Sequence, residues 1–238
     1  MDTRFWGPDG WLLLHSIAEN YPNNPSKEDK LNYKFFFNSL QFVLPCIYCR
    51  RSLKEYTKIL PIDKFLTSKK KITFWLYQIH NMVNDKLRKQ GLNDKNDPTF
   101  TQVSAKYKQY LKQINSNNCI NMPGWNFIYS LIFNYPESYK ELNLERYVNY
   151  VIFFKLLFVV LPFDIIKNKC LIIINDTNYQ KIFVSRNKLK LWFYKLESDT
   201  KKLIDCKCIS YKNRCDYIEN YRAGCTGKND KKPTCRKP

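Results

Sequence analysis

The sequence has little glycine, with 6 residues in 238, and only 2 histidines. It also lacks a long uncharged apolar run, because the most apolar stretch (150–162) is too short to cross a bilayer and contains Lys155. The N-terminal residues show no apolar core followed by a small-residue cleavage site, so we expect no signal peptide. These absences predict a helical protein that neither spans a membrane nor is secreted.

Acidic residues are scarce beside basic ones, with 21 Asp and Glu against 40 Lys and Arg and a formal charge of +19. Such a charge is compatible with binding to nucleic acid phosphates. However, the lysines are scattered along the chain instead of forming a stripe, as expected from an A/T-rich coding composition. We therefore do not expect a specific nucleic acid partner.

Cysteine is abundant, with 9 residues, which points to metal or thiol chemistry in a reducing compartment. Cys46 and Cys49 form the pair in LPCIYCRRS (44–52), and Pro45 suits the first turn of a helix. A thiolate is favoured at a helix N-terminus, and a disulfide can join residues three apart on a helix. The pair could belong to a zinc site, a thioredoxin-type motif, a surface disulfide or a cofactor-linked redox site.

Two of these alternatives lack the residues that they need. A structural zinc site requires four ligands, and the chain has no second CxxC; Cys206 and Cys208 are badly spaced for one. A thioredoxin-type pair needs βαβ units, whereas this pair lies among predicted helices. The spacing of the pair also permits a reversible bond rather than a permanent staple at the surface. The interpretation that we favour is a redox pair facing a planar cofactor in a helical bundle.

The hydrophobic pattern predicts a mainly α protein with antiparallel helices. Trp11 and His15 share one helix face, as do His80, Asn84 and Leu87. Two histidines on separate helices, each beside an aromatic or amide side chain, favour a site over two isolated core residues. The segment 115–123 is the best candidate for a linker.

Beyond this linker the sequence repeats itself. Three echoes occur in the same order: 10–22 with 124–136, Leu44-Pro45 with Leu161-Pro162, and 68–80 with 185–197. They predict an internal duplication. The chemically capable residues of the first copy have been replaced in the second, where the counterparts of Cys46, Cys49, His15 and His80 are Phe163, Ile166, Tyr129 and Glu197.

The repeat suggests three parts: residues 1–114, a degenerate module at 119–205 and a basic, cysteine-rich tail at 206–238. The second part contains a β-branched run and an Asn-Asp-Thr-Asn turn within 170–184. This pattern predicts a small β-hairpin that the first copy lacks.

The first part resembles the FAD-linked sulfhydryl oxidases of the Erv/ALR type. The resemblance depends on four motifs in order: R-x-W-G-x-x-G-W-x-x-x-H (4–15), Tyr-Pro (21–22), P-C-x-x-C (45–49) and W-x-x-x-x-H-N-x-V-N-x-x-L (75–87). It is closest to the versions carried by large DNA viruses such as mimivirus. The match to Pro98-Thr99-Phe100 is loose, and the structural disulfide of the cellular members is missing.

The resemblance implies a four-helix bundle with a short fifth helix that holds FAD at its mouth. Cys49 would lie nearest the isoalloxazine ring. Cys46 would be the outer sulfur, at the helix end open to attack, that exchanges with substrate thiols. Electrons would then pass to FAD and to oxygen, which gives hydrogen peroxide. The implied cofactor-binding residues are Gly7, Trp11, His15, Tyr48, Tyr77, His80, Asn81, Val83, Asn84, Leu87, Lys89 and Tyr107.

The resemblance also implies thiol-containing substrate proteins, a homodimer and a location in the cytoplasm of the infected cell, with the virion as a second location. Many family members use a flexible cysteine pair as an electron shuttle, for which Cys206 and Cys208 are the first candidates. The alternative function is a basic, cysteine-rich structural or nucleic-acid-binding virion protein without catalysis. The degenerate module would serve as an interface or a substrate platform.

Overall fold

The computed structural model describes residues 1–116, 123–175, 178–203 and 206–221. These ranges are helical, and their only β pairing is an isolated bridge between Ser138 and Ser185. The prediction of a mainly α protein is therefore confirmed. Most of the predicted linker (117–122) lies outside the described residues.

The first module, residues 1–116, is built from five α-helices and one 3-10 turn. They are α1 (Thr3–Glu19), α2 (Lys27–Val43), α3 (Ile47–Ile59), the turn Ile62–Phe65, α4 (Lys69–Lys89) and α5 (Phe100–Ser116). Local caps define their starts: Ser26 and Asp29 form a capping box at α2, and the Ser68 hydroxyl accepts from the N–H of Lys71 at α4. Helix α1 packs against both α4 and α5, whereas α3 lies between α2 and α4.

Helix α5 is 17 residues long, as long as α1, so the expectation of a short fifth helix is wrong. Its length follows from its amphipathic pattern, because Tyr107 and Ile114 are both buried against the rest of the module.

The second module, the described residues of 123–221, repeats this order. Its α-helices are α6 (Trp125–Phe133), α7 (Leu144–Val160), α8 (Asp164–Asn175), α9 (Tyr179–Ile182), α10 (Arg186–Leu203) and α11 (Tyr211–Glu219). A 3-10 turn at Tyr139–Glu141, between α6 and α7, has no counterpart in the first module. Four elements begin 117 residues after their counterparts in the first module: 27 to 144, 47 to 164, 62 to 179 and 69 to 186. This common spacing is what a duplication would produce.

Contacts inside the modules recur at matching positions, which are offset by 117 residues except for Tyr21 and Tyr135, which are offset by 114. The Tyr21 hydroxyl donates to the Leu66 carbonyl over 2.8 Å, and the Tyr135 hydroxyl donates to the Phe183 carbonyl over 2.6 Å. The rings of Phe37 and Trp75 meet edge to face at 5.2 Å, and their counterparts Phe154 and Trp192 do so at 6.1 Å. These matched contacts support the interpretation of the second module as a duplicate, which stays a proposal.

The two modules pack through α1 against α6 and α2 against α7. Two glycines allow the close approach of α1 and α6: a Cβ atom on Gly10 would lie 2.9 Å from the Phe127 ring, and one on Gly124 would lie 2.5 Å from Leu13. Gly124 also has a φ of +97°, which favours glycine. The Asp9 carboxylate accepts from the N–H groups at the start of α6, including that of Gly124 over 2.9 Å.

The β-hairpin predicted within 170–184 is wrong. Residues up to Asn175 belong to α8, and Tyr179–Ile182 form α9; Asp176 and Thr177 lie outside the described residues. The β-branched run is helical because Cys170 and Ile174, four residues apart, are both buried as α8 packs against α7 and α10. Tertiary packing has overridden the local strand propensity.

The predicted tail begins with packed structure. Helix α11 lies against α6, and the Tyr221 ring stacks on Phe5 at 3.9 Å between centroids. Residues 222–238, with Cys225 and Cys235, lie outside the described residues. Among the residues described, no helix is both long and apolar enough to cross a membrane, and no group of side chains could hold a metal ion.

Candidate functional site

The cysteine pair lies at the start of α3, as the sequence predicts. Cys46 is the N-cap residue, and its sulfur accepts from the backbone N–H of Cys49 over 3.3 Å. Pro45 separates α2 from α3 and lacks an N–H group. A sulfur at this position is stabilised as a thiolate by the helix N-terminus.

Cys46 is nevertheless the more buried of the two residues, with 6% of its surface exposed, whereas Cys49 is half-buried. The expectation that Cys46 is the more open sulfur is therefore wrong for this structure. Its side chain folds back over the first turn of α3 as a cap and joins the hydrophobic core. The next residue, Ile47, is 46% exposed.

One face of α3 connects Cys49 to α4. Ser52 lies three residues after Cys49, and its hydroxyl accepts from the Lys86 ammonium over 2.7 Å. Tyr56, four residues further on, lies close enough to Cys49 and Asp85 for their negative forms to raise the pKa of its hydroxyl, in addition to the larger effect of burial. Cys49 therefore lies on the α4 side of α3.

Four of the predicted residues form a layered cluster of rings. Trp11 stacks on His80 with centroids 3.8 Å apart and planes 7° from parallel. His15 stacks on Tyr107 at 4.4 Å, also 7° from parallel. The two layers are joined because His15 Nε2 lies 3.1 Å from His80 Nδ1. The structure thus brings together the two histidines that the spacing assigns to one site, and their role in such a site stays a prediction.

Both histidines are neutral at neutral pH. Burial lowers the pKa of His15 to about 3, helped by His80 and Lys106, and burial lowers that of His80 to about 4. Burial also raises the pKa of Tyr107 to about 12, so its hydroxyl stays protonated. The cluster therefore presents flat, uncharged surfaces.

Most other predicted contacts lie on α4 and are half-buried. They are Tyr77, Asn81, Val83, Asn84 and Leu87, while Gly7 on α1 and Tyr48 on α3 are also half-buried. A Cβ atom on Gly7 would meet nothing within 4 Å, so space is open there. Lys89 instead points outward, with 76% of its side chain exposed, and pairs with Asp85 at 2.9 Å. It is the one predicted contact on α4 that the structure leaves at the surface.

Asp97 is a neighbour of this stripe that sequence reasoning missed. Its carboxylate accepts from the Asn84 amide over 2.7 Å and from both terminal nitrogens of Arg88 over 3.1 and 2.9 Å. The Arg88 hydrogen bond lowers the pKa of Asp97. No motif spacing indicates Asp97, because it reaches α4 through an irregular segment.

The counterpart site in the second module is a buried charge cluster. The Tyr129 hydroxyl donates to Glu197 over 2.5 Å, at the positions that match His15 and His80. Glu197 is fully buried and also pairs with Lys201 at 2.8 Å and with Arg214 of α11. Burial and the Glu197 charge raise the pKa of Tyr129 far above its ordinary value. This cluster leaves no open ring surface.

The two shuttle candidates are in different chemical states. Cys206 is engaged in a disulfide, whereas Cys208 is a thiol, so they are not bonded to each other. Burial, with the charge of Glu197, raises the pKa of Cys208. The structure thus places Cys208 beside the second module's charge cluster.

Comparison with known proteins identifies relatives of this chain. The model of the Erv1 / Alr family matches residues 8–108. An FAD-linked sulfhydryl oxidase of African swine fever virus is 31% identical over 87 residues, which cover 36% of this chain and 70% of that protein. The chain belongs to the Erv1 / Alr family.

Other relatives of the family match the same region. A probable FAD-linked sulfhydryl oxidase of Acanthamoeba polyphaga mimivirus is 42% identical, with 35% of this chain and 59% of that protein covered. The mitochondrial FAD-linked sulfhydryl oxidase of Saccharomyces cerevisiae is 34% identical, with 37% and 46% covered. The crystal structure of the yeast Erv1 core aligns at 28% identity with a TM-score of 0.41, covering 45% of this chain and 85% of that chain. The chain thus spans about half the length of the mimivirus and yeast proteins.

Proposed function

We propose that this protein is an FAD-dependent thiol oxidase that makes disulfides in substrate proteins. The observation that carries the proposal is the neutral ring cluster that Trp11 and His15 of α1 form with His80 of α4, the helix that also contacts the Cys49 face of α3. Family membership and the names of the viral relatives, which are FAD-linked sulfhydryl oxidases, support the same activity.

The residues present fit an FAD molecule. The Trp11 and His80 rings are half-buried, so they can lie against a flat ring system, and the half-buried amides of Asn81 and Asn84 can hydrogen-bond to it. Open space beside Gly7 leaves room on the α1 side. The residues proposed to hold FAD are those that the resemblance assigns, with Lys89 free to reach a phosphate by changing its rotamer.

When bound, FAD would accept an electron pair from the reduced cysteines and deliver it to oxygen, which yields hydrogen peroxide. The chain's own part is thiol–disulfide exchange. A substrate thiolate attacks the Cys46 sulfur of the Cys46–Cys49 disulfide, and Cys49 leaves as a thiolate. The second substrate thiol then displaces Cys46, so the substrate gains one disulfide and the protein holds two thiols.

We assign the exchange to Cys46 because Cys49 lies on the α4 side of α3, toward the ring cluster. The low exposure of Cys46 restricts the approach of a substrate to the side of the exposed Ile47. The neutral imidazoles of His15 and His80 keep a positive charge out of the ring cluster at neutral pH.

We further propose that the second module is a degenerate duplicate that binds no FAD, since the charge cluster around Glu197 fills the equivalent position. A shuttle role for Cys208 with a cysteine other than Cys206 remains part of the proposal. A homodimer would have to use faces other than those where α1 and α2 meet α6 and α7. The viral relatives support the infected-cell cytoplasm and the virion as proposed locations.

Oxygen uptake tests the proposed activity directly. The purified full chain should consume oxygen when dithiothreitol is added and release an equal amount of hydrogen peroxide. The Cys46→Ser/Cys49→Ser double variant is the control, and Cys170→Ser, which removes a buried cysteine of α8, should match the wild type in activity if it folds. A folded wild-type preparation without thiol-dependent oxygen uptake would contradict the proposal.

A further inference from the structure

The end of α2 has backbone carbonyls that need donors from elsewhere. The last carbonyls of any helix have no intrahelical partner, and Pro45 supplies no N–H group. The last donor of this helix is the N–H of Leu44, which bonds to Leu40 over 3.1 Å. The last carbonyls of α2 immediately precede Pro45 and the cysteine pair in the chain.

Side chains satisfy three consecutive carbonyls at this point. The bonds are Arg146 Nε to Phe42 O (3.2 Å), Tyr150 Oη to Val43 O (3.4 Å) and Arg50 Nη1 to Leu44 O (2.6 Å). Arg146 and Tyr150 belong to α7, so the second module supplies two of the three donors. Tyr150 is fully buried, and the Arg146 guanidinium lies over its ring at 5.9 Å.

The same contacts bring positive charge to the cysteines. Burial lowers the pKa of Arg50, and the charge of Arg146 lowers it further, whereas the negative forms of Tyr150, Cys46 and Cys49 act in the opposite direction. Arg50 of α3 is therefore the cation that faces the pair, and Arg146 of α7 lies close enough to Arg50 for their charges to interact, beside the carbonyls that precede the pair. Both favour thiolates over neutral thiols.

The side chain on α2 at the position that corresponds to Arg146 has no hydrogen-bond donor, as expected if the donor on α7 serves the cysteine pair. At the common spacing of 117, Arg146 corresponds to Asp29 and Tyr150 to Tyr33. Asp29 cannot donate to a carbonyl, and its carboxylate is used in the capping box of α2. Of these two positions, only the one on α7, which contacts the carbonyls before the cysteines, holds an arginine.

We propose that Arg146 and Tyr150 of the second module are positioning residues for the Cys46–Cys49 pair. They hold the carbonyls that precede Pro45, and Arg146 adds a charge that stabilises the reduced pair. The inference depends on the proposed function only in taking this pair as redox-active. It gives the second module a role in the chemistry of the first.

The equilibrium between the pair and glutathione tests this role without oxygen or turnover. Two thiols lose two protons and two electrons to form one S–S bond, while one glutathione disulfide becomes two glutathione thiols. The full chain is equilibrated anaerobically in buffers of known ratio and alkylated, and the peptide with both cysteines is quantified by mass spectrometry.

Arg146→Met should shift this equilibrium toward the disulfide by about three- to tenfold, because a cation that favours the thiolate is lost. Arg146→Lys keeps the charge and should stay within about twofold of the wild type if charge is the larger effect. Tyr150→Phe removes only a hydrogen bond and should shift the equilibrium less than Arg146→Met. The matched control is Arg186→Met, since Arg186 also donates to a backbone carbonyl, that of Tyr135, and pairs with Glu137.

An unchanged equilibrium in Arg146→Met would overturn the proposal, as would an equal shift in Arg186→Met. If Arg146→Met does not fold, the proposal stands or falls on whether Tyr150→Phe shifts the equilibrium and Arg186→Met does not. If the variants show the shift but the wild type consumes no oxygen, the proposed oxidase activity is contradicted and the positioning role is not.

Discussion

The two modules place side chains at matching positions but use them differently. In the first module, His15 and His80 are neutral rings, and His80 and its stacked partner Trp11 are half-buried. In the second module, Tyr129 and Glu197 hold the matching positions and are buried, and Glu197 pairs with Lys201 of α10 and Arg214 of α11. A hydrogen-bonded pair of side chains at these two matching positions is thus compatible with either an open ring surface or a closed charge cluster.

The difference shows that a shared helical frame does not determine chemistry. The apolar contacts of Phe37 with Trp75 recur in Phe154 with Trp192, so the packing has been kept. The positions that correspond to Cys46 and Cys49 hold Phe163 and Ile166, both buried, which cannot exchange disulfides. Function therefore has to be argued from the site in each module separately.

Removing the cysteines should have the largest effect, because it takes away the chemistry that distinguishes the first module from the second. We expect Cys49→Ser to reduce thiol-dependent flavin reduction to below about 1% of the wild-type rate, because no nucleophilic sulfur faces the cofactor. Cys46→Ser should retain flavin but lose turnover with protein thiols. Stopped-flow absorbance under nitrogen measures the first, and oxygen uptake measures the second. Wild-type oxygen uptake by Cys46→Ser would refute the assignment of the exchanging sulfur.

Exchanging the paired residues should make the first module resemble the second. In the His15→Tyr/His80→Glu variant, we expect flavin to be lost while helical content is kept, since the ring stack is removed and a carboxylate is introduced. Flavin absorbance after gel filtration and far-ultraviolet circular dichroism measure the two effects. The matched control, Tyr129→Phe, changes only the second module and should keep its flavin. Full flavin retention in the exchanged variant would contradict the site.

Mild acid should destabilise the first module through its histidines. Their pKa values of about 3 and about 4 lie below the ordinary value, so the unfolded chain takes up protons that the folded chain refuses. This stability is complete above the ordinary pKa of about 6.5 and is lost as the pH falls toward the folded values of about 4 and about 3. The two groups together should lose about 3 kcal/mol of it by pH 5. Urea unfolding at several pH values measures this slope. The slope should flatten in the His15→Tyr/His80→Glu variant, and an unchanged slope would show that other groups titrate.

The smallest expected effect concerns the contact between the modules. Gly124→Ala should cost about 1–2 kcal/mol because the left-handed backbone disfavours a side chain, and contact with Leu13 adds to this. Its counterpart Gly10→Ala meets only the Phe127 ring and should cost less. Thermal unfolding of both variants gives the comparison. Equal losses would argue against the close approach at Gly124.

Sequence reasoning predicted what local spacing encodes. The helical period and the motif order identified α4, with His80 and Asn84 on one stripe, and the repeat identified the replaced positions. It failed where tertiary contacts decide: packing made 164–175 helical, and the cap role of Cys46 buried the sulfur expected to be open. Arg146 and Asp97 carry no motif, so only the folded chain brings them to the site.

The most direct test of the account is the number of flavins bound per chain. Purified full-length protein should be yellow, and denaturation should release one FAD for each polypeptide, quantified by absorbance against amino-acid analysis. One FAD is expected because only the first module offers the half-buried rings of Trp11 and His80, whereas Glu197 and its cations close the second. Two FAD molecules per chain, or none in a folded preparation, would contradict the account.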